Sequence, residues 1–139
     1  MKGFFQKILV INLSNKRYED KVIPNQVYRD FLGGKGLATY LLLKRNKPKV
    51  NPLSPENALI ISLGPTSDTQ IWGSSRYGIY TKSPLTGIFA ESYSGGKVAE
   101  SMSRTGYDAV VLEGAASQPL FLEINDDGVA FRDAKQIWG

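Results

Sequence analysis

Two corners of the chain, Gly33-Gly34-Lys35 and Gly95-Gly96-Lys97, join backbone freedom to a cation. Glycine admits positive φ and lets a ligand approach the main chain closely. The N–H groups that open a helix favour an anion such as a phosphate. A simpler reading is that each glycine pair only reverses the chain between two elements. Neither corner is a nucleotide fingerprint: Gly36 and Val98 stand where a Walker loop needs Ser or Thr, and no Gly-x-Gly-x-x-Gly occurs. Arg76 follows Gly73-Ser74-Ser75 and begins an expected strand. Its guanidinium fork can grip a phosphate with two hydrogen bonds, or simply stand in solvent at a strand end. The return strand runs into Tyr93-Ser94-Gly95-Gly96, so one hairpin would carry Arg76 to the second corner. The result would be a shelf, one cation beside exposed main-chain donors and carbonyls.

Other candidates carry less. Ser94-Gly95-Gly96-Lys97 fits the Ser-x-x-Lys of penicillin-recognising enzymes, but the companion motifs are absent. Asp126-Asp127-Gly128 reads as a hairpin tip rather than a metal loop. Asp108 and Glu113 flank a strand and form no evident acid/base pair. The chain has no Cys and no His, which removes disulfides, zinc and iron–sulfur ligation, Cys nucleophiles and His-dependent triads from these residues.

The elements that would position the shelf follow from periodicity and breakers. Ile8–Leu13 and Lys16–Val22 read as a hairpin, and Asn25 is the expected N-cap of a helix ended by Gly33-Gly34. A second helix over Gly36–Arg45 has Leu37, Ala38, Tyr40, Leu41 and Leu42 as its apolar stripe. Three prolines make 47–56 irregular, and Ala58–Leu63 is a buried strand stopped by Gly64-Pro65. Residues 66–75 form an exposed loop, then Arg76–Thr81 and Ile88–Tyr93 pair as strands. A helix over Lys97–Thr105 closes at Gly106, and Asp108–Glu113 is a strand. Asn125-Asp126-Asp127-Gly128 turns between Leu120–Ile124 and Val129–Arg132. Hairpin, Gly-Gly-Lys, helix and apolar strand thus occur twice. This predicts an α+β fold with two stacked, largely antiparallel sheets and outer helices, built from a pseudo-twofold internal repeat.

The chain's 139 residues, 42% hydrophobic and 22% charged, suit one globular domain over 1–139 with no dividing linker. Met1 to Lys7 turns polar before an apolar leader core can form, and no apolar run approaches membrane-spanning length. The formal charge of +4 is scattered, without the concentrated basic face that nucleic acid requires. The missing cysteines agree with a reducing compartment.

Several stretches together resemble the N-terminal domain of the aldehyde ferredoxin oxidoreductases, tungsten-pterin enzymes. They are Gly33-Gly34-Lys35-Gly36-Leu37-Ala38, Asn51-Pro52-Leu53-Ser54-Pro55-Glu56-Asn57, Gly64-Pro65, Arg76-Tyr77, Thr81-Lys82-Ser83-Pro84-Leu85-Thr86-Gly87, Ser94-Gly95-Gly96, Gly106 to Gly114 and Ile137-Trp138-Gly139. The resemblance covers nearly the whole chain in order. It implies the floor of a site where two pterins hold one tungsten, or molybdenum, with Mg²⁺ bridging their phosphates. By the same resemblance Arg76 would contact pterin phosphate, and Gly95, Ser94 and Gly96 would offer backbone to the pterin. The Tyr93 main-chain carbonyl would reach Mg²⁺, although many members carry Asn at that position. The family's [4Fe–4S] cluster and remaining pterin contacts would come from later domains. The whole enzyme would be cytoplasmic, with a homodimer one assembly open to it, and would oxidise aldehydes to carboxylic acids with ferredoxin as acceptor. These residues alone would be inactive. A free-standing pterin- or anion-binding assembly domain, or a relative with a different substrate, are the alternatives.

Overall fold

The computed structural model describes residues 2–139; Met1, which opens the polar stretch noted above, lies outside them. The β1 strand (Lys7–Asn12) is a continuous apolar run, Ile8-Leu9-Val10-Ile11, buried on both faces as a central strand must be. It pairs antiparallel with β2 (Arg17–Val22), whose charged, exposed residues suit a sheet edge. Helices α1 (Asn25–Phe31) and α2 (Gly34–Arg45) follow, then β3 (Leu59–Leu63), β4 (Tyr77–Lys82) and β5 (Phe89–Ser94). Helix α3 (Lys97–Arg104) leads into β6 (Ala109–Glu113), and β7 (Leu120–Asn125) and β8 (Gly128–Asp133) close the described chain.

Six strands form one sheet in the order β2-β1-β6-β3-β4-β5, and β7-β8 form a second of two strands. Only β1 and β6 run parallel; every other neighbouring pair is antiparallel. Helices α1 and α2 cover one face, where Ile8, Val10, Ile60 and Val111 meet Val27, Tyr28, Leu37 and Leu41. The other face receives Met102 of α3 and the hairpin residues Leu122, Ile124, Val129 and Phe131, packed on Leu9, Ile11, Tyr107 and Val110. The fold is α+β, with a large mixed sheet, a small stacked one and three helices on the outside.

The repeat read from the sequence is visible in strand order. A hairpin stands at each edge, β1-β2 and β4-β5, with β6 and β3 between them. Direction does not follow that symmetry, since β6 is parallel to β1 whereas β3 is antiparallel to β4. The cause is connectivity: β3 and β4 are consecutive and joined at one end of the sheet, whereas β6 reaches β1 through most of the chain.

Local details differ from expectation. Asn25 is the first helical residue, and Pro24, with φ −58°, takes the cap position. Helix α2 starts at Gly34 rather than Gly36. Gly36 is needed for another reason, because a Cβ there would fall on the Phe31 carbonyl where α1 and α2 touch.

Tyr107 donates its hydroxyl to Asp20 at 2.7 Å, tying β6's entry to the edge strand β2. That hydrogen bond, with Lys7 nearby, holds the Asp20 carboxyl below its usual range. A depressed folded pKa adds stability above the unfolded carboxylate pKa, and that contribution disappears as pH falls through the folded value. Tyr107→Phe is expected to cost about 1 kcal/mol at neutral pH and less in acid. Urea midpoints at pH 7 and pH 3 check this: an equal loss at both would refute the assignment.

Candidate cofactor-binding site

The glycine corners gather at one end of the large sheet. Leu63 ends β3 opposite Tyr77, Tyr77 opens β4 opposite Ser94, and Ser62 lies opposite Ala109. The corners Gly33-Gly34, Gly64-Pro65, Ser75-Arg76, Ser94-Gly95-Gly96 and Gly106-Tyr107-Asp108 therefore crowd together. Sequence spacing indicated the second hairpin; the remaining convergence depends on strand order.

Arg76 and Gly95 meet as expected. The Arg76 guanidinium occupies the space that a Cβ on Gly95 would need, with the Ser75 carbonyl 3.3 Å from the same point. Its Nη1 donates to the Ser75 carbonyl at 2.9 Å, which fixes the fork across the corner. Arg76 makes no ion pair with a carboxylate among the described residues. It is exposed and Gly95 half-buried, so the shelf is a surface feature with charge available to a ligand. The Arg76 carbonyl accepts from the Gly64 N–H at 3.3 Å and the Ser67 hydroxyl at 3.1 Å, so both ends of the residue are held. Ser75 donates its hydroxyl to the Gly96 carbonyl at 2.5 Å. Sequence reasoning passed over Ser67 and Ser75, and only their closeness to Arg76 hinted at them.

Gly96 has φ +82°, open space where a Cβ would stand, and no side-chain cap over the N-terminus of α3. The first-turn N–H groups beyond it are orphan donors of the kind that receive anions. Ser94 pairs with Tyr77 at the end of β5. Tyr93 sets its ring edge-on to Tyr80 at 6.0 Å. Burial and the bond to Tyr93 push the Tyr80 phenol well above its usual range.

The two Gly-Gly-Lys corners are not equivalent. At the first, a Cβ on Gly33 would meet the Leu63 carbonyl at 3.1 Å and Pro65 Cδ at 3.2 Å, so close packing explains that glycine. Lys35 instead reaches across to Glu91 on β5 at 2.8 Å. At the second, Gly96 is open and the space beside Gly95 is filled by the Arg76 guanidinium rather than by packed backbone. The simple reversal reading holds for the first corner and is insufficient for the second.

Asp108 underlies this end of the sheet. It is 7% exposed and accepts the Tyr28 hydroxyl at 2.6 Å and the Phe5 N–H at 3.0 Å. Burial, reinforced by Asp108, raises the Tyr28 phenol far above its ordinary value, so it stays a donor. Asp126 and Asp127 form the β7-β8 tip. Among the described residues no cluster of three or more His, Cys, Asp or Glu could hold a metal, and no helix is long and apolar enough to cross a membrane.

Comparison with known proteins shows the family of the chain. The family model described as "Aldehyde ferredoxin oxidoreductase, N-terminal domain" matches residues 8–139. Tungsten-containing aldehyde ferredoxin oxidoreductases of Pyrococcus furiosus and Pyrococcus horikoshii are 42% and 40% identical over the full chain. The "Aliphatic sulfonate oxidoreductase, WOR-like subunit" of Pyrococcus furiosus is 32% identical, again over the full chain. Among solved structures, the active site complex BamBC of benzoyl coenzyme A reductase with 1,5-dienoyl-CoA superposes with a TM-score of 0.95 at 32% identity, covering 99% of this chain and 21% of that one. The chain spans 23% of the length of the two aldehyde ferredoxin oxidoreductases and 22% of the sulfonate relative. From the matched model, the identities and the superposition, the chain belongs to the aldehyde ferredoxin oxidoreductase family, as its N-terminal domain.

Proposed function

We propose that residues 1–139 form one domain, the floor of a tungsten–pterin site in an enzyme that oxidises aldehydes to carboxylic acids and passes the electrons to ferredoxin. One observation carries the reading: the Arg76 guanidinium lies in the space a Gly95 Cβ would fill, beside an uncapped helix start. A cation over bare main chain suits a planar ligand that carries phosphate, so the residues fit the group. Arg76 would hold a phosphate, Gly95 and Gly96 would let the ligand lie against the backbone, and Ser94 would flank it. The Tyr93 carbonyl is proposed to face Mg²⁺. Two-electron redox chemistry is what such a group supplies when bound. The chain's own residues bind and orient; the structure assigns them no proton transfer. Iron–sulfur ligands, further pterin contacts and the substrate pocket are proposed to lie in the remaining domains of a cytoplasmic enzyme. The sulfonate relative and the benzoyl coenzyme A reductase structure match 99% or more of this chain, which favours a second reading in which the substrate is not an aldehyde.

Arg76→Ala in the full-length enzyme tests the role. Losing a charged hydrogen bond to phosphate removes about 1.5–3 kcal/mol, roughly a tenfold to hundredfold weaker hold on the cofactor. Tungsten per polypeptide, measured after dialysis, is expected to fall. Metal content equal to that of the parent enzyme would refute the assignment.

A further inference from the structure

Loop 66–75 is tied down along its length and still presents an apolar tip. The Ser67 N–H donates to the Gly64 carbonyl at 3.0 Å. Arg104 grips Asp68 with two hydrogen bonds, of 3.1 and 3.0 Å. The Thr69 hydroxyl donates to the Thr66 carbonyl at 2.8 Å, and the Ser74 N–H to the Ile71 carbonyl at 3.2 Å. Beyond the tip, Ser75 holds the Gly96 carbonyl. Arg104 ends α3 and Gly96 precedes it, so the loop runs alongside the helix, pinned at both helix ends. At its summit Trp72 is 99% exposed and Ile71 61% exposed.

An indole in water on an ordered loop is unusual for a free surface. Large aromatic side chains presented on pre-ordered backbone are the anchors that carry interface affinity, because little freedom is lost when they dock. The relatives identify the occupant by their length. The chain covers 23% of the aldehyde ferredoxin oxidoreductases, leaving roughly three quarters of those polypeptides to pack around this region. Trp72 precedes Arg76 by four residues in sequence, so whatever receives the indole borders the shelf.

We propose that Ile71 and Trp72 seat in an apolar pocket of the remainder of the same polypeptide, so that loop 66–75 locks this domain to the rest of the enzyme beside the shelf. The proposal rests on the reading of the chain as one domain of a longer enzyme. Full-length protein and its Trp72→Phe variant are compared by tryptophan emission and acrylamide quenching, and the difference between them isolates Trp72. The expected result is a blue-shifted component that acrylamide barely quenches, unchanged when the protein is diluted until it is monomeric. Emission and quenching matching free N-acetyltryptophanamide would overturn the proposal. Shielding lost on dilution would also overturn it, assigning the contact to a second copy. The same measurement on Arg76→Ala separates the two readings: a shielded Trp72 with undiminished tungsten keeps the docking and discards the phosphate role.

Discussion

Asp108→Ala is expected to lower the free energy of unfolding by about 3–5 kcal/mol, among the largest single-residue losses available in this chain. Two donors lose their acceptor at once. Tyr28 is fully buried, whereas Phe5 is half exposed and water can replace the acceptor of its N–H. A buried unpaired hydroxyl costs about 1–3 kcal/mol, the part-exposed N–H less, and removal of the carboxylate also leaves a void. Tyr28→Phe removes the buried donor and leaves Asp108 its Phe5 N–H, stripping only one carboxylate oxygen, so it should cost less, about 1–2 kcal/mol. The asymmetry is the test: urea unfolding should show Asp108→Ala far worse than Tyr28→Phe, and equal losses would show that Asp108 does not serve both donors. The loss should also reach the shelf, since Asp108 precedes β6 and its carbonyl accepts the Leu63 N–H at 3.0 Å at the same sheet end.

Gly95→Ala should have the opposite profile, nearly silent for folding and severe for the cofactor. The new methyl meets the far end of a flexible Arg76 side chain, which can swing away, and the Ser75 carbonyl at 3.3 Å. Stability is expected to change by less than about 1 kcal/mol. The methyl would take the place of the guanidinium, and the displaced fork would no longer cross the shelf to meet a phosphate. Tungsten retention is therefore expected to fall at least as far as in Arg76→Ala, by roughly tenfold or more. An unfolded Gly95→Ala protein would contradict the packing argument, and a folded one with full metal would contradict the shelf.

Much of this site was legible in sequence because it lies in one hairpin. Turn chemistry around Pro84 and Gly87 sets the β4-β5 register, and that register alone puts Arg76 beside Gly95. What lay beyond reach depends on non-local order. Nothing in the spacing of Lys35 shows that it crosses to Glu91, or that Asp68 turns back to Arg104, because both pairs form only after the sheet has assembled. The internal repeat illustrates the same limit: element types recur along the chain, but strand direction is decided by which connections are short. Gly36 was visible as part of a glycine corner, yet its purpose, contact with the Phe31 carbonyl, is a property of two packed helices.

The parallel β1–β6 pairing has a consequence for biosynthesis. Ile8 lies opposite Ala109, so a strand made among the first residues has to wait for a partner 101 positions later. At ordinary elongation rates that interval is about 5–20 s. Throughout it, Ile8, Leu9, Val10 and Ile11 leave the ribosome on a hairpin whose central edge is unpaired, and collapse is complete only once β6 slides in between β1 and β3. The apolar inner edge of β1 therefore stays without its partner until residues 109–113 have been made and can pair.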